Sequence, residues 1–170
     1  QIYRPETLNK KYQYVLMDSL KAMRIFNVEQ QIPYVISLLR SFDDGKIAYK
    51  TLRKAMVSVE NFHFQFNAIT SQRSSGSIAS MYGKAARALY KAEDSEAAAL
   101  VIENVKRELR EKIPSKEEFT LHFRRIQYNK AIRSNSLVKY ILGKISKEEN
   151  ISFDTNFERL TIEHIHPQSS

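Results

Sequence analysis

The chain has 170 residues, a net charge of +8, no cysteine and 42% hydrophobic residues. That length suits one compact domain, or a domain with a short appendage. The missing cysteine excludes disulfides and every thiolate metal site and suits a reducing, cytoplasmic setting, and no stretch approaches the ~20 apolar residues a membrane span needs.

Four glycines and four prolines are few for this length and favour long helices over a turn-rich β fold. The first residues, Gln1-Ile2-Tyr3-Arg4-Pro5, show no charged-then-apolar leader and no initiator Met, which reads as a piece of something longer. Tyr12, Val15, Leu16, Leu20, Met23 and Phe26 step by three and four, so about residues 6–27 are expected to form an amphipathic helix. Pro33 suits a first helical turn, and Tyr34, Ile36, Leu38 and Leu39 make the next helix apolar. Asp43-Asp44-Gly45 breaks it. A long helix is expected over 46–70, with Phe62, Phe64 and Phe66 as core and His63 as a packed or edge histidine.

The polar run 71–77 is read as a loop whose serines cap a helix over 77–91. Asp94 or Ser95 caps another, to about Lys112, and Ile113-Pro114 stops it. Ser115-Lys116-Glu117-Glu118 has the spacing of a capping box and opens a helix to about Tyr128. Ser134 or Ser136 caps a last one, to about Lys147. Residues 151–157 read as loop and 160–165 as a strand. The expected fold is all-α: a bundle of about six or seven helices over 1–150, with a short β-strand in 151–170.

Charge is unevenly spread. Residues 1–60 carry 10 basic and 6 acidic side chains, residues 61–145 carry 15 and 8, and residues 146–170 carry 2 and 5. A basic body beside a small acidic terminus fits a phosphate-binding surface next to a carboxylate-bearing site. Over 118–144, Arg124, Arg125, Lys130, Arg133, Lys139 and Lys144 interleave with Phe119, Phe123, Tyr128 and Tyr140. The aromatics read as core and the cations as a surface able to track phosphates; Arg124, Arg125, Lys130 and Arg133 are the expected DNA contacts. Lys84, Arg87 and Lys91 share one helix face and read as solvated surface.

The sharpest motif closes the chain: Leu160-Thr161-Ile162-Glu163-His164-Ile165-His166-Pro167-Gln168. A strand sends adjacent side chains to opposite sides. Glu163 could therefore meet a metal ion while His164 meets a water, and Pro167 ends the strand. This is how the first limb of an HNH (ββα-metal) nuclease site begins: a histidine base, and a carboxylate for a divalent cation such as Mg²⁺. His164 and His166 also form a His-x-His pair, but with only Glu163 beside them and no cysteine they fall short of a structural zinc site.

On these residues the chain resembles the GmrSD-type family, whose nuclease half carries a similar Ile-Glu-His-Ile-x-Pro-Gln string. Residues 59–64, 82–86 and 138–142, and the surroundings of Phe119, are also similar to it. His166 stands where the family more often has an apolar residue. The resemblance implies a ParB-like nucleotide-binding domain before Gln1, the remaining HNH residues after Ser170, and a role in cutting phage or modified DNA in bacterial defence. It implies His164 as catalytic base and Glu163 as metal ligand, and a fragment inactive by itself. A different class of reading stays open: a helical interaction module that couples a sensor domain to an effector, without catalysis or nucleic acid.

Overall fold

The computed structural model describes residues 10–72, 76–128 and 132–149. Their regular structure is helical: α1 (Lys10–Phe26), α2 (Ile32–Asp43), α3 (Tyr49–His63) continued by a π-helical segment (Phe64–Ile69), α4 (Gly76–Lys91), α5 (Ser95–Glu111), α6 (Lys116–Phe123) and α7 (Ile132–Glu148). No strand occurs among them, and none of these helices is long and apolar enough to cross a membrane. The expected strand over 160–165 lies outside the described residues. They form two compact units, one ending at Arg124 and one beginning at Arg125.

In the first unit α2 packs most extensively on α4, α1 and α5 flank α3, and α6 rests on the π-helical segment. The apolar stripe read from the sequence is the buried one. Leu16, Leu20, Met23 and Phe26 of α1 meet Leu52, Met56, Val59 and Phe62 of α3, all buried. Each such side chain contributes roughly 1.5–3 kcal/mol on leaving water. Tyr34 of α2 stacks on Tyr82 of α4, ring centroids 5.7 Å apart.

Three helices end through a left-handed residue. Asn27 (φ 57°) follows α1, with Val28 N–H donating to the Met23 carbonyl and Asn27 N–H to that of Arg24. Gly45 (φ 73°) follows α2 in the same pattern, with Lys46 N–H reaching the Ser41 carbonyl. Both are Schellman closures, which return the orphan carbonyls of a last turn to hydrogen bonds. The expected break at 43–45 is thus made by Gly45, which adopts positive φ without a Cβ penalty. The third, Ser71 (φ 53°), ends the π-helical segment.

The expected capping residues act where they were placed by local chemistry. Asp94 accepts from Ala97 N–H at 2.8 Å and Ser115 from Glu118 N–H at 3.1 Å. Pro33 sits in the first turn of α2. Glu118 does not close the reciprocal half of the box; its carboxylate accepts instead from Gln72 Nε2 at 2.8 Å. Several boundaries differ from the sequence reading. The helix expected over 46–70 starts at Tyr49 and winds as α only to His63. The helix from Lys116 ends at Phe123, five residues early, with Arg124 as its C-cap. In the second unit α7 begins at Ile132, so Ser134 and Ser136 lie inside it rather than capping it.

Two further polar ties, beside Gln72–Glu118, cross the first unit. Ser19 Oγ donates to buried Glu60 Oε2 at 2.6 Å, joining α1 to α3. Lys46 Nζ donates to the Ala92 carbonyl at 2.5 Å, where a cation also complements the negative end of α4. A Ser19→Ala substitution is expected to lower the unfolding free energy by about 1–3 kcal/mol, since it removes a buried hydrogen bond to a carboxylate. Urea denaturation would measure this, and a loss under ~0.5 kcal/mol would mean Glu60 finds a substitute.

Candidate functional site

The most organised polar cluster among the described residues is buried where α3 passes into the π-helical segment. Its centre is His63, fully buried. Phe62 and Phe66 stack at 5.0 Å, Phe64 approaches Phe26 at 5.9 Å and Phe119 at 6.2 Å, and Phe62 meets the His63 ring edge-on. Three alternating aromatics cannot all share one face of a regular α-helix, whose side chains turn with a 3.6-residue period. Phe62 and Phe66, four residues apart, stack on one side while Phe64 faces α1 and α6. The wider π turn loosens the carbonyl ladder. Thr70 compensates: its hydroxyl is shared between the Gln65 and Phe66 carbonyls at 3.0 and 2.9 Å. π-helical turns concentrate at functional positions.

The hydrogen bonds fix the histidine's tautomer. Asn67 Nδ2 donates to the Gln72 carbonyl at 3.1 Å, so its Oδ1 faces His63 Nδ1, 2.6 Å away. That oxygen only accepts, which assigns the proton to Nδ1. Nε2 then accepts from the Tyr82 hydroxyl at 3.1 Å. The series continues from Gln72 Nε2 to the Glu118 carboxylate. One chain of donors and acceptors therefore runs from α4 through α3 and the π-helical segment to α6.

Burial lowers the His63 pKa to about 4, against the opposing pull of the Asn67 hydrogen bond, so the ring is neutral at physiological pH. Burial pushes the Tyr82 hydroxyl well up, with Tyr34 adding to it. Both groups are sealed from solvent. The arrangement holds four segments in register. Of the packed or edge readings of His63, the packed one holds, but its partners Asn67 and Tyr82, and Gln72 beyond Asn67, carry no local signal that would have joined them to it.

The residues singled out from the sequence are placed as follows. Arg124, the C-cap of α6, and Arg125 are both exposed; one closes the first unit and the other opens the second. Lys130, the Arg133 side chain, Glu163 and His164 lie outside the described residues. Lys84, Arg87 and Lys91 are exposed, as expected of solvated surface. An open groove of about 450 Å³ between α4 and α5 mixes Lys84 and Lys112 with Glu108, Asn104 and Ser77. No cluster of three His, Asp or Glu side chains among the described residues could hold a metal ion.

No family model, curated protein or solved structure matches the chain. The functional assignment therefore rests on residues and their chemistry alone.

Proposed function

We propose that the chain is the helical region and opening strand of a divalent-metal-dependent HNH DNA endonuclease of a bacterial restriction system acting on phage or modified DNA. The observation that carries this reading is the string over 160–168, in which Glu163 and His164 stand side by side ahead of Pro167. Glu163 would hold Mg²⁺ or a similar cation together with residues beyond Ser170, and the bound cation would stabilise charge developing on the phosphodiester. His164 takes the proton from the attacking water. The helical body positions DNA, with Arg124, Arg125, Lys130 and Arg133 against phosphates; the exposure of Arg124 and Arg125 supports that part. A ParB-like nucleotide-binding domain precedes it in the parent chain.

The test is plasmid cleavage with Mg²⁺ or Mn²⁺ by the parent chain continuing past Ser170, beside its His164→Ala variant. Cleavage that disappears in the variant supports the nuclease reading. Equal cleavage by both, or none by either, removes it and leaves the non-catalytic interaction module. One observation favours that second reading: Leu142 and Ile145 of α7 are 42% and 51% exposed, apolar surface available to a protein partner.

A further inference from the structure

We propose that the exposed face of α3 is a second contact surface for DNA, where Lys50, Arg53 and Lys54 meet the phosphates of one duplex strand. This rests on the DNA-cleaving reading above and adds a surface that the sequence reading passed over.

The face is uniform in sign. Between Asp44 and Glu60 the chain holds four cations and no acid, and Glu60 is buried against Ser19. Lys46 is committed to the Ala92 carbonyl. Lys50, Arg53 and Lys54 are exposed and have no ion-pair partner within 4 Å among the described residues. Several cations elsewhere on this unit are engaged: Arg40 pairs with Asp44 and lies over Tyr90, Lys106 pairs with Glu103, and Arg107 donates to Asn104. Glu103 of α5 lies within electrostatic reach of Lys54, which makes Lys54 the weakest of the three contacts. Tyr49, 47% exposed, and exposed Asn61 border the stripe.

The placement is not one that folding favours. Lys50 stands in the first turn of α3, which has no acidic residue, and Ala48 at its N-cap offers no side-chain acceptor. Cations there oppose the helix dipole. A phosphate reverses the sign of that cost, because it meets the side-chain charge and the helix end together. From Lys50 to Lys54 the helix rises about 6 Å, close to the roughly 7 Å that two phosphate intervals of one strand advance along the duplex axis.

The experiment is binding of a fluorescein-labelled duplex of about 20 base pairs to the full chain, by anisotropy, from 50 to 200 mM KCl. The wild type is compared with a Lys50→Ala/Arg53→Ala/Lys54→Ala variant, with a Lys84→Ala/Arg87→Ala/Lys91→Ala variant that removes equal charge, and with an Arg124→Ala/Arg125→Ala variant. The α3 variant replaces exposed residues with the best helix former, so its melting temperature should equal or exceed the wild type's. The proposal expects the α3 variant, unlike the equal-charge control, to lose about 2–3 from the log–log salt slope. It expects affinity at 0.1 M salt to fall about tenfold or more. Wild-type binding that survives unchanged in the α3 variant, or falls equally in the equal-charge control, overturns the α3 surface and leaves the DNA reading standing. Absence of salt-dependent binding by the wild type overturns both. A loss confined to the Arg124/Arg125 variant confirms those contacts and rejects α3.

Discussion

A His63→Ala variant is expected to lose about 4 kcal/mol of unfolding free energy, a large share of the 5–15 kcal/mol typical of a domain. Two effects combine. Removing a fully buried ring leaves a cavity in a close-packed core. It also strands the Tyr82 hydroxyl, which loses its partner at 3.1 Å, and removes the 2.6 Å contact to Asn67 Oδ1; an unsatisfied buried group costs about 1–3 kcal/mol. Urea unfolding followed by circular dichroism measures the loss. A change below about 1 kcal/mol would show that the polar chain does not hold the four segments together.

The same residue sets a pH dependence. Its folded pKa, about 4, lies below the ~6.5 of an unfolded histidine. Between those values the unfolded chain binds more protons, so stability is full above about pH 6.5 and declines as the pH falls toward 4, by about 3 kcal/mol in all. Protonation is resisted for a local reason. It would place a second proton on Nε2, turning Tyr82 from donor to acceptor and leaving its hydroxyl hydrogen among stacked rings. Comparing wild type with His63→Ala cancels the carboxylates common to both. The gap between them should close by about 3 kcal/mol from pH 7 to pH 4; a gap independent of pH rejects the assignment.

In the proposed nuclease, His164→Ala and Glu163→Ala should fail differently. Loss of a general base removes on the order of 10²–10⁴ in rate, and added metal cannot replace it. Loss of a metal carboxylate weakens ion affinity, so part of the rate should return as Mg²⁺ is raised. Initial nicking rates across a Mg²⁺ titration separate the two. Recovery of His164→Ala at high Mg²⁺ would mean that this histidine is a ligand and that the base lies elsewhere.

Much of the helical frame was legible because its signals are local. Pro33, Gly45, Asp94 and Ser115 each act on backbone groups within a few residues, and the apolar steps from Leu16 to Phe26 name the face that is buried. The π-helical segment was not legible, since Phe62, Phe64 and Phe66 satisfy an apolar count without revealing how they will pack. The His63–Tyr82 pair joins positions 19 apart, a relation that packing alone creates. The ends of α6 and the start of α7 shifted for a related reason: a cap signal names a possible boundary, and the tertiary surroundings choose among several. The candidate catalytic pair remains a reading of nine consecutive residues.

The long polar ties bear on how the chain finds its fold. Ser19–Glu60, Lys46–Ala92 and Gln72–Glu118 span 41, 46 and 46 residues. An apolar stripe tolerates a helix sliding by one turn, about 5.4 Å, because one leucine replaces another. A hydrogen bond of 2.5–2.8 Å tolerates no such slide. The ties therefore contribute little to collapse and much to choosing among collapsed states. Refolding of a variant lacking them should pass through mispaired helices that the wild type avoids, at nearly unchanged helix content.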